Sequence, residues 1–308
     1  MFKPHGVCSA MYTPMNADYT INEAVVRKMV DFQIEKGLDG IFPVSTAGEF
    51  IHLSLDQCEQ LMTIVVNQVN GRVPVVPGVT ASCAHHAIRL AKKARSLGCQ
   101  AVVSCTPFFF TQTEDETIKY FLDIAETADI PIIIYNIPMF TKPLSLAVTT
   151  KLIEHPMVLG IKDSSGSMVD MMHIIDHIRT NNLGSVYMSG REDFFDSALI
   201  HGASGCYTSC AGIFPEIMTA IYDSVKNNEF HKAQQIQCSL LPLLRMCFSL
   251  PFPIGFKIAL ETRGFEMGPY WSSLDEVTIN KISSIKSLIE LETKKLVAFG
   301  ETLKKHYS

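Results

Sequence analysis

Short, continuous apolar runs recur along the chain: Val7–Tyr12, Gly40–Val44, Val73–Val79, Ala101–Cys105, Pro131–Tyr135, Met157–Lys162, Ser185–Ser189 and Gly205–Ser209. They do not alternate apolar with polar, which is the pattern of parallel strands buried on both faces. Between them the apolar positions switch to helical spacing, as in Val25, Met29 and Phe32 on one face of the first segment. Capping-box pairs open three of these helices: Thr20 with Glu23, Ser54 with Gln57 and Thr113 with Glu116. Gly37, Gly98 and Gly202 mark helix ends that lead into the next strand. Eight strand–helix units in succession predict an α/β fold of the (β/α)8 TIM-barrel type. A doubly wound open sheet is the alternative, but the first run lacks a G-x-G-x-x-G turn, and no G-x-x-x-x-G-K-[ST] loop occurs. From about residue 215 the pattern is helical only, interrupted by "SLPFPIGFK". The expected organisation is a barrel over 1–214 and a C-terminal helical extension over 215–308, packed on the barrel.

Composition narrows the class. The 308 residues are 47% hydrophobic and 19% charged, enough apolar material for a large core and too little charge for a disordered chain. A net charge of −5 leaves no global basic surface for nucleic acid, and the Lys294–Lys295 and Lys304–Lys305 pairs read as solvated helix faces. No apolar stretch reaches membrane-spanning length, and the N-terminal "MFKPHGVCSAMYTP" lacks a signal-peptide pattern. Nine scattered cysteines without a C-x-x-C pair predict reduced thiols and a cytoplasmic protein; Cys206 and Cys210 give only a faint metal or redox hint. His173 and His177 share a helix face without the glutamate of H-E-x-x-H, and His85–His86 has no matching carboxylates. Neither a metal nor another cofactor is expected.

In a barrel of this kind the chemistry sits at the C-terminal ends of the strands. The sixth run ends in "KDSSG", placing Lys162 where a charge has little room. Burial favours the neutral amine, a nucleophile toward carbonyl carbon; the plain alternative is a rim charge paired with Asp163. Tyr135 ends the preceding run, and adjacent strands lie ~4.8 Å apart, so both side chains can reach one substrate. "STAGE", from Ser45 to Glu49, offers hydroxyls and a glycine turn whose N–H groups can hold a carboxylate.

"STAGE", "YNIP" and "GIKDSS", in this order and spacing, resemble the dihydrodipicolinate synthase/N-acetylneuraminate lyase superfamily of class I pyruvate-dependent aldolases and lyases. "YTP" (Tyr12–Pro14), "SGRED" (Ser189–Asp193) and "FPIGFKIAL" extend the likeness over nearly the whole chain. The resemblance implies Lys162 as the Schiff-base lysine, Tyr135 as the proton-relaying acid/base and Thr46 as its hydroxyl partner. It implies a pyruvate-carboxylate site at Ser45, Thr46, Ala47 and Gly48, with Glu49 structural. Ala47 stands where many relatives carry a second hydroxyl. Two other departures matter more. Phe109 occupies the place of a tyrosine that, in the synthases, enters the relay from a neighbouring subunit. Phe140 occupies that of an arginine that grips the aldehyde's carboxylate. Ser164, Gly190, Arg191, Glu192 and Tyr207 are the candidate contacts to the second substrate, with Arg191 either meeting a distal carboxylate or pairing with Glu192.

The expectation is therefore a pyruvate-dependent carbon–carbon lyase that cleaves or forms a 4-hydroxy-2-keto acid, nearer to a 2-keto-3-deoxy sugar-acid aldolase than to a synthase. Its partners would be a small 2-keto acid and an aldehyde. A homotetramer built from dimers is implied by the resemblance. A synthase joining pyruvate to aspartate semialdehyde, a sugar-acid dehydratase using the same imine, and a non-catalytic barrel that binds a small acid remain open.

Overall fold

A computed structural model describes residues 2–304 of the chain; Lys305 lies outside the described residues. Strands β1 (Gly6–Ala10), β2 (Gly40–Phe42), β3 (Val102–Cys105), β4 (Ile132–Asn136), β5 (Val158–Asp163), β6 (Val186–Ser189) and β7 (Gly205–Thr208) form one parallel sheet in the order β2-β1-β7-β6-β5-β4-β3. Helices α1 (Glu23–Glu35), α2 (Leu55–Val69), α3 (Ala84–Ser96), α4 (Glu114–Ala128), α5 (Leu146–Ile153), α6 (Met168–Thr180), α7 (Phe195–Ile200) and α8 (Pro215–Lys226) surround it. Beyond them run α9 (Phe230–Phe248), α10 (Ile254–Thr262) and α11 (Glu276–Lys304). The molecule is a TIM barrel with a helical C-terminal extension.

The third apolar run departs from expectation. It makes no continuous strand, yet it fills the gap between β2 and β3. Val75 bridges to Ile41 and Gly78 to Val103, both in parallel. Val76 N–H donates to Ile41 O at 3.0 Å, and Val79 N–H donates to Val103 O at 2.8 Å. Pro74 and Pro77 have no N–H to give, so the ladder is interrupted where a full strand would need donors. Their carbonyls still accept, from Ile41 and Val103, and the barrel closes.

Every residue of β1, β3, β5, β6 and β7 is buried, as the continuous apolar runs require. Ser54 with Gln57 and Thr113 with Glu116 form reciprocal capping boxes on α2 and α4. The third box does not form. Helix α1 is capped by Asn22, whose side chain accepts from Val25 N–H at 3.2 Å, and the Thr20 hydroxyl donates instead to Asp18. Asn22 sits directly before the first helical residue, so it takes the orphan N–H that a more distant threonine cannot reach. The glycines at 37, 98 and 202 adopt φ of 93°, 80° and 111°, the left-handed stops at which helices turn back toward the sheet.

Helix α8 packs on β1 and α7 as well as on α9 and α11, so the chain runs from barrel wall into extension without a break. All nine cysteines are free. Among the described residues, no cluster of three or more His, Cys, Asp or Glu side chains is arranged to hold a metal ion. No described helix is long and apolar enough to cross a membrane. His177 has Nε2 2.8 Å from Oε1 of Glu154, the residue that caps α5.

Candidate active site

Lys162 lies one residue from the end of β5, in register with Tyr135 of β4 on one side and Met188 of β6 on the other. Strand geometry sends successive side chains to opposite faces, so Lys162 and Asp163 part company. Asp163 is fully committed elsewhere. Its Oδ1 accepts from Asn136 Nδ2 at 2.9 Å and from Ser165 N–H at 3.0 Å. Its Oδ2 accepts from Ser165 Oγ and Tyr187 Oη, both at 2.8 Å. The rim-pair reading of Lys162 therefore fails. Asp163 instead ties the ends of β4, β5 and β6 together, through Asn136 and Tyr187.

Lys162 itself is 3% exposed and makes no ion pair among the described residues. Its Nζ sits 4.0 Å from the centre of the Tyr135 ring and 4.8 Å from that of Phe42. Burial lowers its pKa from 10.5 to about 7, with Glu192 pulling in the opposite direction. A substantial fraction is then the free amine at neutral pH, the form that attacks a carbonyl carbon. Tyr135 is also buried, which pushes its phenol up, while hydrogen bonding from Ser164 and Thr46 pulls it back. Ser164 Oγ stands 3.5 Å from Tyr135 Oη and donates to the Gly190 carbonyl at 3.2 Å. Gly190 permits that approach, since a Cβ there would fall 2.1 Å from Ser164 Oγ.

These groups face a cavity of about 50 Å³ at the C-terminal mouth of the barrel. Of the residues expected from sequence, Thr46, Ala47, Tyr135, Lys162, Ser164 and Gly190 line it, together with Arg191, Glu192 and Tyr207. Ser45 and Gly48 do not. The Ser45 hydroxyl donates to Met11 O at 2.8 Å and accepts the Gly48 N–H at 3.0 Å, so both residues are used in holding the loop. Among the described residues no acceptor takes the N–H of Thr46 or Ala47, and these two remain for an anion. Val44, a β-branched residue at φ 56°, and Glu49, also at 56°, bend the loop into place. Glu49 is held from outside the barrel by an ion pair with the buried Lys257 of α10.

Arg191 pairs with Asp193, Nη2 to Oδ2 at 2.7 Å, and not with Glu192; its guanidinium also lies 5.4 Å from the Phe248 ring centre. Glu192 turns inward, and its Oε1 accepts from Ser209 N–H at 2.9 Å and Cys210 N–H at 3.1 Å. Tyr207 packs edge-on against Phe42, ring centres 5.8 Å apart. Sequence reasoning missed Ser209, Phe248 and Phe252, which also line the cavity. Phe248 and Phe252 come from the α9–α10 junction; the interruption "SLPFPIGFK" in an otherwise helical stretch was the one signal pointing to them.

The chain matches the dihydrodipicolinate synthetase family over residues 3–290. It belongs to that family. Relatives include the 4-hydroxy-tetrahydrodipicolinate synthase of Acidiphilium cryptum, 32% identical over 264 residues, covering 85% of this chain and 89% of the relative. The synthase of Methanopyrus kandleri is 30% identical over 298 residues, or 96% and 97% of the two chains. Among solved structures, a dihydrodipicolinate synthase superposes with a TM-score of 0.87 at 27% identity, covering 95% of this chain and 99% of its own. The sialic acid aldolase of Ruminococcus gnavus superposes with a TM-score of 0.84 at 21% identity over 95% and 99%, which shows a shared fold.

Two positions depart from the pattern that the resemblance to the synthases implies. Phe140 lines the cavity mouth with its ring 6.1 Å from that of Phe252, so an apolar wall stands where the synthase resemblance implies an arginine. Phe109 is 91% exposed at φ 81° and is not part of the cavity within one chain. A phenyl ring carries no proton, so whatever its surroundings it adds nothing to a relay.

Proposed function

We propose that the protein is a class I, Schiff-base-forming aldolase that cleaves or forms a 4-hydroxy-2-keto acid, with pyruvate as one product or substrate. The observation that carries this reading is Lys162: buried, in no ion pair among the described residues, titrating near 7, and packed against the Tyr135 ring. A binding site for a small acid has no need of a reactive amine. The substrate's carboxylate lies on the Thr46 and Ala47 N–H groups, with Lys162 against its ketone carbon. Attack gives a carbinolamine, and loss of water gives a protonated imine. The imine draws the electron pair of the C3–C4 bond as the C4 hydroxyl loses its proton, releasing an aldehyde and leaving an enamine. Tyr135, supported by Thr46 and Ser164, passes protons between nitrogen and oxygen.

The other substrate is a polyhydroxy aldehyde, making the keto acid a 2-keto-3-deoxy sugar acid. Ser164, Glu192, Tyr207 and Ser209 offer hydrogen-bonding groups around the cavity, and Arg191 is already neutralised by Asp193. A second reading, synthesis from pyruvate and aspartate semialdehyde, is favoured by relatives that bear the synthase name. Phe140 speaks against it, because an apolar ring cannot replace a fork of charge-assisted donors. The same imine also serves dehydration of a sugar acid. Incubation with a panel of 2-keto-3-deoxy sugar acids, with release of pyruvate and aldehyde followed, tests the assignment. Pyruvate with an equimolar aldehyde supports it. Consumption of pyruvate only with aspartate semialdehyde replaces it with the synthase, and a product without aldehyde replaces it with dehydration. The homotetramer and the cytoplasmic setting belong to the same proposal; sedimentation of the purified chain tests the first.

A further inference from the structure

A proton relay needs an ionisable end. Tyr135, Ser164 and Thr46 are hydroxyls that pass a proton on, and burial pushes the Tyr135 phenol away from ionising. Phe109 supplies nothing. Cys105, beside Lys162, is pushed up to about 11 by burial and stays a thiol, and the buried Tyr207 phenol is pushed up as well. Arg191 is paired with Asp193. One group remains on the cavity wall.

We propose that Glu192 is a further catalytic residue, the store for the single proton that the Schiff-base cycle takes up and gives back. Its placement fits the task. The Glu192 carbonyl accepts from Gln237 Nε2 of α9 at 2.7 Å, fixing the backbone. Both N–H donors to the carboxyl, from Ser209 and Cys210, go to Oε1, and among the described residues no hydrogen bond occupies Oε2. The side chain is thus anchored through one oxygen and free at the other. Among the described residues neither Glu192 nor Lys162 makes an ion pair. Two buried groups of opposite kind share one cavity, each 3% exposed, and desolvation favours the pair as neutral amine and neutral acid. Burial pushes the Glu192 carboxyl above the usual range, in keeping with this.

The remaining groups that face it are Tyr12 after β1, Cys206 of β7, Cys210 of the following turn and Cys247 of α9. Burial holds all four protonated. Asp193, on the same loop, also pushes the Glu192 carboxyl up, while Arg191 opposes this.

The balance, which rests on the aldolase reading, closes in each step. The neutral amine and the ketone form a carbinolamine, with Tyr135 passing the proton from nitrogen to oxygen. Glu192 then gives its proton to the departing hydroxyl. Water leaves, and a cationic imine faces a Glu192 carboxylate. That carboxylate takes the C4 hydroxyl proton as the C3–C4 pair moves into the enamine. It returns the proton to C3, and hydrolysis of the imine restores neutral amine and neutral acid.

Pyruvate alone supplies the probe, since enamine formation exchanges its methyl protons with solvent. Methyl deuteration is followed by NMR in D2O across pH for wild type, Glu192→Gln and Glu192→Asp, with borohydride trapping at Lys162 run in parallel. The expected result is a Gln variant that still forms the adduct on long incubation but exchanges slower by roughly 10²-fold or more, with Asp recovering part of the rate. Its pH profile should also lose the limb that ionisation of the Glu192 carboxyl sets, a limb that the Asp variant keeps. Exchange within about threefold of wild type at an unchanged pH profile overturns the proposal. If the Gln variant fails to fold, the Asp variant decides: it should exchange slower than wild type, and an unchanged rate overturns the proposal. Absence of an adduct in wild type would instead overturn the Schiff-base reading itself.

Discussion

Lys162 costs the fold stability because it is buried without an anion. Its amine binds a proton with an affinity near pH 7 when folded and near 10.5 when unfolded. Between those values the unfolded chain holds a proton that the folded chain does not, so this contribution destabilises fully below about 7 and fades as pH rises to 10.5. Lys162→Met should therefore raise the melting temperature at pH 7 and below. The gap from wild type should shrink toward pH 10.5, as read by thermal unfolding at matched pH. The variant should be inactive, because the nucleophile is gone. Tyr135→Phe keeps the ring against Lys162 and removes only the hydroxyl; turnover should fall by roughly 10²–10⁴-fold with the fold unchanged by circular dichroism. A lysine or a tyrosine closing an apolar run is as easily structural when taken alone; what singled these two out was their company with "STAGE" and the family pattern, and the structure places both on one cavity wall. The hydroxyl of Ser45 was not separable from that of Thr46. Which of two neighbours faces the cavity depends on the backbone turn, and here Ser45 is spent on Met11 O and Gly48 N–H. The pairing of Arg191 was misread for the same reason: Glu192 turns inward and Asp193 meets the guanidinium.

At the level of elements, β5 divides its end between chemistry and support: Lys162 faces the cavity and Asp163 locks the strand to β4 and β6. Gly190, after β6, allows Ser164 to stand beside Tyr135. Gly190→Ala would bring a Cβ to 2.9 Å from the Asp163 carbonyl as well as against Ser164 Oγ. The variant should lose roughly 1–3 kcal/mol of unfolding free energy by denaturant titration, as overpacked sites do, and kcat should fall more than KM rises. Strand positions were readable from continuous apolar runs, since burial on both faces leaves room for only a few polar residues, such as Ser9, Ser104 and Asp163. The third run was readable as a wall segment but not as a broken one. The proline code forbids its own N–H bonds at Pro74 and Pro77, while acceptors and the intervening donors still join the barrel. The cap of α1 went to Asn22 because two capping sequences overlap there and the nearer one wins.

The whole molecule joins its barrel to its extension at the candidate active site. Phe248 and Phe252 line the cavity, and Lys257 of α10 holds Glu49 of the Ser45–Glu49 loop. Lys257 is 1% exposed, so Glu49→Gln leaves a buried charge without its partner. That substitution should cost roughly 3–5 kcal/mol in unfolding free energy, and adding Lys257→Met should recover a large part of it. This contact was invisible in the sequence, because more than 200 residues separate the two partners and neither neighbourhood names the other. The central claim is that Lys162 is a nucleophile. The most direct test is the intact mass of the protein after borohydride reduction in the presence of pyruvate, followed by peptide mapping. The account predicts a stable pyruvyl adduct on Lys162 that forms more readily as pH rises through about 7. A folded protein that gains no mass, or gains it at another lysine, would contradict it.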